Sequence, residues 1–251
     1  LEKLVNLEEL IITFPYTIES PELPNLKGLT KLKKVTMHGT NHALTITEEF
    51  KESIVQNKQL KDLVLKGLQY SDLSFLNELT SLKYLNISFK DRTDFEWLDE
   101  INLRLDTIGL DAREVEDISG LKYARAAAVI VDNPLKADFS TLESAPNGLQ
   151  LWGEIGNPEG LKNLNSPVLT LQYTTKDAIK YAAQNDKIDT LIINFSKDIK
   201  DLSFLTNVKI NHLILFETEI DLRTIPSSIM QLTVYRPTEE QKQQFVDCKV
   251  R

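Results

Sequence analysis

Cysteine is almost absent from this chain, in which Cys248 is the single example. One thiol cannot form an internal disulfide, and a zinc cluster would need several ligands. No run of about 18 apolar residues is present, so the sequence predicts no membrane span. Positive charge is also in deficit, because 29 Lys and Arg face 37 Asp and Glu, giving a net charge of −8. An acidic chain repels phosphate backbones, and we therefore expect no nucleic-acid partner.

Signatures of catalysis and of bound cofactors are missing as well. The chain has no G-x-S-x-G element, no P-loop and no dinucleotide fingerprint. His38 and His42 have a spacing that suits a metal only on a helix, and no Cys or acidic cluster accompanies them. We therefore predict that the chain is not an enzyme and that it holds neither a metal nor a cofactor.

What recurs instead is a short apolar phrase, L-x-x-L-x-L with Ile, Val, Met or Ala as substitutes, about every 22 residues. Positions 4 and 6 of the phrase alternate as in a strand that buries one face. Strands joined by crossovers must be parallel. The repeat therefore predicts one parallel sheet of about eleven strands. Position 4 falls at Leu10, Val35, Leu63, Leu85, Ile108, Val129, Leu149, Leu169, Leu191, Leu213 and Leu232.

A second phrase, an Asp followed by apolar residues, lies between the strands. It begins at Asp72, Asp94, Asp117, Asp138 and Asp201. An Asp carboxylate accepts the free N–H groups at the start of a helical turn, so each Asp is predicted to cap such a turn. Calcium binding is the alternative, but each Asp stands singly, without the dense alternation of a calcium loop.

Together the two phrases resemble the leucine-rich repeat proteins, and most closely the 22-residue class of bacterial internalins and internalin-like surface proteins. The likeness is strongest from Asp72 to Ile87, and Asp201 to Leu215 and Asp117 to Leu121 are similar. The resemblance implies an α/β leucine-rich repeat solenoid. In this horseshoe a parallel β-sheet forms the concave face, short helices and turns form the convex face, and the function is protein recognition.

The chain departs from that family five residues after position 4, where the family carries Asn. Leu68, Lys90 and Pro134 occupy this place and cannot replace the Asn amide, whereas Thr174 and Ser196 can supply part of its hydrogen bonding. The departures imply an irregular solenoid with individually varied bends, least regular between Ala124 and Leu171.

Three segments interrupt the period and are predicted to be helical. Thr45 to Gln59 begins with a capping box formed by Thr45 and Glu48, Thr175 to Asn185 has inward-facing alanines, and a third helix starts after Pro237. We expect residues 1–236 to form the repeat domain, with about eleven repeats, and residues 237–251 to cap its open end. The chain opens at Leu1 within a repeat and shows no signal sequence, so we expect that upstream residues have been removed or are not part of this sequence.

The side chains that flank the buried pair face the concave surface, and aromatic residues are frequent there. Exposed aromatic side chains are typical anchors at interfaces. An alternative is that position 8 turns under the edge of the sheet, which would place Tyr173 and Phe195 partly in the core; another is that an unseen segment covers the surface. The predicted protein-binding residues are Tyr84, Phe89, Trp152, Tyr173, Phe195, His212, Phe216 and Tyr235.

We therefore predict a non-catalytic module that binds another protein on its concave face. The resemblance implies a bacterial secreted or cell-surface setting. The alternatives are a cytoplasmic scaffold or the substrate-recognition arm of a larger enzyme. Carbohydrate binding, with Trp152 stacking on a sugar beside Gln150 and Gln172, has less support because no such aromatic and polar set recurs.

Overall fold

The computed structural model describes residues 3–15, 17–18, 21–39, 42–142, 144–146 and 148–248. Over these residues it shows an α/β arrangement with one parallel sheet of eleven strands, which lie in the sheet in the same order as in the sequence. The strands are β1 (Glu9–Thr13), β2 (Lys34–His38), β3 (Asp62–Leu68), β4 (Tyr84–Phe89), β5 (Leu105–Asp111), β6 (Ala126–Asp132), β7 (Leu149–Trp152), β8 (Val168–Gln172), β9 (Thr190–Asn194), β10 (His212–Phe216) and β11 (Gln231–Tyr235).

The position-4 residues form one continuous row across the sheet. Leu10 pairs with Val35 in the first strand pair and Leu213 pairs with Leu232 in the last, and every pair between them follows the same register. The parallel sheet and its register are thus as the sequence predicts, including the segment from Ala124 to Leu171. Positions 4 and 6 are buried in nearly every strand, because alternate side chains point to the same face.

Short helices close the crossovers on the buried side. The 3₁₀ helices are Ser74–Glu78, Glu96–Glu100, Ser119–Tyr123, Phe139–Thr141, Pro158–Asn163 and Leu222–Thr224. Their apolar residues, such as Phe75, Leu76 and Leu121, enter the same core as the strand leucines. The hydrophobic core therefore lies between the sheet and the helical turns. The opposite face of the sheet, which we call the open face, carries side chains that are mostly half-buried or exposed.

The recurrent Asp residues act at the start of these turns. The Asp138 carboxylate caps its helix by accepting the Ser140 N–H at 2.9 Å. Asp72 and Asp117 lie one residue before the helix cap, yet each accepts the N–H two residues ahead, at 3.0 and 2.8 Å.

Two α-helices occupy predicted insertions. Helix α1 spans Glu48–Ile54, and its cap is Thr47, whose hydroxyl accepts the Phe50 N–H at 3.1 Å. The predicted capping box at Thr45 is wrong, because Thr45 is held instead in a parallel bridge with Glu22. Helix α2 spans Lys176–Ala183, and its cap is Thr175, whose hydroxyl accepts the Ala178 N–H at 3.4 Å.

The third helix, α3 (Glu239–Cys248), follows the last strand. It is fastened by two buried glutamines: Gln241 Nε2 donates to the Ile220 carbonyl at 2.9 Å, and Gln244 Oε1 accepts the Leu222 N–H at 2.8 Å. Phe245 remains 38% exposed, so polar bonds rather than this ring attach the helix.

Candidate aromatic binding surface

Four aromatic rings form a continuous row at the carboxyl ends of β8 to β11. Tyr173 stacks on Phe195 with ring centroids 5.7 Å apart, Phe195 meets Phe216 edge to face at 5.5 Å, and Phe216 lies 6.1 Å from Tyr235. These spacings are within the range of favourable aromatic pairs. We call Tyr173, Phe195, Phe216 and Tyr235 the aromatic row.

The rings of the row face away from the core. Tyr173 is 59% exposed and Tyr235 is 53% exposed, while Phe195 and Phe216 are half-buried. None of the four is among the partly buried side chains that pack against the core. Position 8 therefore does not carry Tyr173 or Phe195 under the sheet, and the apolar surface of the row is accessible.

The backbone beneath the row explains where these rings lie. In each of the last six strands the residue that follows the strand has a positive φ; these residues are Asn133, Gly153, Tyr173, Phe195, Glu217 and Arg236. The amides of the first five continue the ladder by donating to the next strand, as Phe195 N does to the Phe216 carbonyl at 3.0 Å. The left-handed region is unfavourable for bulky side chains. Tyr173 (φ 52°) and Phe195 (φ 51°) occupy it nonetheless.

A charged pair borders the row. The Arg236 guanidinium lies 5.3 Å from the centre of the Phe216 ring and is ion-paired with Glu217. Cations in this position are attracted by the negative face of an aromatic ring. An apolar centre with a charged rim is the usual composition of a protein interface.

Trp152 lies in the same register row as Gln172, Asn194 and Phe216 but outside the aromatic row. Three strand spacings of about 4.8 Å separate it from Phe216. Its indole Nε1 and the Asn194 Oδ1 are both buried without a hydrogen-bond partner in the described part of the chain. Two polar groups with unused hydrogen-bonding capacity therefore lie beside the row.

Three other predicted site residues lie apart from the row. Phe89 packs against the core and meets Trp97 edge to face at 5.1 Å, which removes it from the open face. Strand alternation causes this, because Leu85 and Ile87 of β4 are buried and Phe89, two residues after Ile87, points to the same side. Tyr84 lies on β4, far along the sheet. His212 is at the opposite end of β10 from Phe216, with Nε2 2.8 Å from the Thr233 hydroxyl.

The described residues show no group of three or more His, Cys, Asp or Glu side chains that could hold a metal ion. Within the same ranges, every helix is too short or too polar to cross a membrane. No protein-family model matches the chain, and no curated protein is significantly similar to it.

Proposed function

We propose that this chain is an irregular leucine-rich repeat solenoid and that it works as a non-catalytic module which binds another protein on the open face. In this proposal the open face is the concave surface of the solenoid, and the aromatic row is the anchor for the partner. The single observation that carries the proposal is the row itself: four contiguous rings, two of them more than half exposed.

Interface energetics support this choice. Aromatic residues and Arg are enriched at protein interfaces, and a few such residues supply most of the binding energy. Tyr173, Phe195, Phe216 and Tyr235 are adjacent to one another and to Arg236, so a partner that covers them desolvates one continuous patch. Single exposed apolar side chains need no explanation, whereas a contiguous patch marks an interaction site.

The backbone strain gives a second argument. A bulky residue in the left-handed region costs about 1–2 kcal/mol relative to an ordinary conformation. Gly153 occupies the equivalent position after β7, so the fold accepts glycine there, which adopts the left-handed conformation without strain. Aromatic residues at strained, exposed positions add little to folding, and local strain of this kind clusters at functional sites.

The resemblance to internalin-like proteins is the only support for a bacterial secreted or cell-surface setting. The polar residues after the strands agree with an irregular member of that class: the Ser196 hydroxyl accepts the Thr174 N–H at 3.2 Å and so supplies part of the hydrogen bonding expected of the family's Asn.

A site-specific cross-linking experiment tests the binding proposal. A photoreactive phenylalanine analogue replaces Tyr235 in one variant and Met230 in another. Both side chains are exposed, but Met230 (78% exposed) lies at the other end of β11, outside the row. We expect a protein from the source organism to cross-link at position 235 and not at position 230.

The complementary variants remove the anchors. Tyr173→Ser with Tyr235→Ser should abolish capture of that protein, while Met230→Ser should leave it unchanged. Equal capture by the double variant and by the Met230 control would refute the aromatic row as the binding surface. If the double variant loses capture and its circular dichroism spectrum shows that it is unfolded, the single Tyr235→Ser variant becomes the decisive case.

A further inference from the structure

A second feature lies at the opposite end of the sheet, over the carboxyl ends of β2 to β5. Here the residues that end these strands, and those that follow them, enclose a cavity of about 420 Å³. Pockets for small molecules typically have volumes of about 300–1,000 Å³. Its lining includes His38, Lys66, Phe89, Lys90, Arg113 and Val115.

A β-bulge forms the floor of the cavity. The register between β3 and β4 shifts after Leu65, so that Lys66 and Gly67 together stand opposite Ser88. Gly67 has φ 76° and donates its N–H to the Ser88 hydroxyl at 3.0 Å, not to a carbonyl of the ladder. A Cβ at Gly67 would lie 3.1 Å from the Gly39 carbonyl oxygen, so a residue without a side chain is required. Bulges are over-represented beside functional sites because they redirect the end of a strand.

The bulge brings lysine side chains together. Lys66 belongs to the bulge and lines the cavity, and its positive charge acts on the carboxylates of Asp111 and Asp132. Lys90 reaches the same turn from the next strand, because its Cε lies 3.3 Å from the place of a Cβ on Gly67. Lys66, Lys90 and Arg113 therefore line one cavity in a chain whose net charge is −8.

The acidic groups of the lining are already engaged. Asp111 accepts a forked pair of bonds from Arg113, with Nε at 3.1 Å and Nη2 at 2.6 Å, and Glu114 is bound by Lys136 at 2.5 Å. Burial favours the neutral form of Asp111, but the Arg113 hydrogen bonds outweigh it and hold the pKa of this carboxyl below its usual value. Asp111 thus stays ionised with Arg113, and the Arg113 Nη1 remains able to donate.

His38 forms one side of the cavity. It is half-buried, and burial followed by the positive charge of Lys66 lowers the pKa of its imidazole. It is therefore neutral near pH 7. Its partner in β1 is Thr13, which carries no charge, and Lys66 is its partner in β3. The half-buried Phe89 ring adds an apolar part to the lining, which Val115 borders from the core.

We propose that this cavity binds a small-molecule phosphate monoester. The Lys66 ammonium and the remaining donors of Arg113 match the acceptor oxygens of a dianion. A cavity of about 420 Å³ exceeds a bare phosphate, and the half-buried Phe89 ring supplies contact for an organic body. The site is separate from the aromatic row and does not depend on the proposed protein binding.

Calorimetric titration with matched probes tests the proposal. Phenyl phosphate carries the dianion, benzoate carries a single negative charge on a similar ring, and benzyl alcohol carries none. We expect phenyl phosphate to bind most tightly, benzoate to bind more weakly, and benzyl alcohol not to bind. Lys66→Met should weaken phenyl phosphate binding about tenfold or more, because a hydrogen bond to a charged group is lost. Lys83→Met, which removes an exposed lysine paired with Asp106, is the control and should not change it.

NMR of the histidine side chains gives a readout that a nonspecific charge effect would not produce. An anion beside His38 stabilises its protonated form, so its pKa should rise when phenyl phosphate binds, while His212, on β10, should not respond. The Tyr173→Ser, Tyr235→Ser variant should bind the probe as the wild type does, which separates this site from the aromatic row.

Three results would overturn the proposal. They are the absence of any His38 response to phenyl phosphate, an affinity unchanged by Lys66→Met, and benzyl alcohol binding as tightly as phenyl phosphate. Equal affinities for benzoate and phenyl phosphate would overturn the assignment of a dianion.

Discussion

The strained backbone at Tyr173 predicts that glycine is more stabilising than alanine at this position, which is the reverse of their usual order in a strand or helix. Tyr173 has φ 52° and is 59% exposed. We compare Tyr173→Gly with Tyr173→Ala, because both changes remove the ring and its contact with Phe195, and only glycine relieves the left-handed backbone. The difference between the two variants therefore reports the conformation of the main chain.

The magnitude follows from two opposing terms. An L-residue in the left-handed region costs about 1–2 kcal/mol, which glycine avoids. Glycine also leaves a more flexible unfolded chain, which costs about 0.4–1 kcal/mol. We therefore expect Tyr173→Gly to be more stable than Tyr173→Ala by about 1 kcal/mol. For a chain of this size, that difference corresponds to about 2–4 °C in the melting temperature.

Ile192 provides the matched control. It is half-buried on the open face of the adjacent strand β9, and it is not among the residues with positive φ. In ordinary extended backbone, glycine is less stable than alanine by about 0.5–1 kcal/mol. The sign of the alanine-to-glycine difference should therefore reverse between Tyr173 and Ile192.

Equilibrium urea unfolding and calorimetry measure these differences. Tyr173→Gly should also lie within about 1 kcal/mol of the wild type, because relief of strain offsets the loss of one stacked ring pair, worth about 0.5–1.5 kcal/mol. If the alanine variant at Tyr173 is as stable as the glycine variant, the left-handed conformation imposes no cost there. The strain argument for a functional role of the ring would then be refuted.

Two further predictions concern the turns behind the sheet. Gly120→Ala should destabilise the fold by about 1–3 kcal/mol, because the added Cβ would lie 2.3 Å from the Phe95 carbonyl carbon. Thermal melting measures this loss, with Ser119→Ala as the control. A melting temperature equal to that of the control would contradict this packing. Stability should also fall in acid, because backbone and side-chain hydrogen bonds from the residue two positions ahead lower the pKa values of Asp72, Asp117 and similar carboxyls. Groups with a lowered folded-state pKa stabilise the fold fully above their unfolded pKa of about 3.9 and lose that contribution as the pH falls through the folded value. Melting temperatures between about pH 6 and pH 2 should decline less steeply in Asp117→Asn, and an unchanged slope would contradict the assigned role.

The sheet was predictable because each repeat carries its own alternation of apolar and polar residues. A shift of one residue in any strand would move its leucines to the open face, so the alternation at Leu63 and Leu65 fixes both the register and the buried side. The Asp phrases were predictable for a similar reason, since the contact of Asp138 with the Ser140 N–H is local in sequence.

The errors come from contacts that are distant in sequence or from backbone angles that residue type does not reveal. Thr45 matches a capping box, but its bridge to Glu22 removes it from the helix, and Thr47 caps α1 instead. Phe89 is a different kind of error, because it lies two residues after the buried Ile87 and strand alternation alone places it on the core side. The alternation of positions 4, 6 and 8 was therefore the available signal.

The candidate surface was predicted only in part. The sequence places Phe216 and Tyr235 on the open face by strand alternation, but the direction of Tyr173 and Phe195 depends on a positive φ, which aromatic residues seldom adopt. The cavity was not predicted at all. Its lining comes from four strands and the segments after them, and no local pattern joins Lys66 to Arg113.

The positions of the two candidate sites determine how they can influence each other. Lys66 is on β3 and Phe195 follows β9, so six strand spacings of about 4.8 Å place them about 29 Å apart along the sheet. That distance exceeds the Debye length of about 8 Å at physiological ionic strength, so a phosphate in the cavity exerts little direct electrostatic force on the row. A small ligand at one end and a partner confined to the other should therefore bind independently. Coupling between them would require a partner long enough to contact both ends of the sheet.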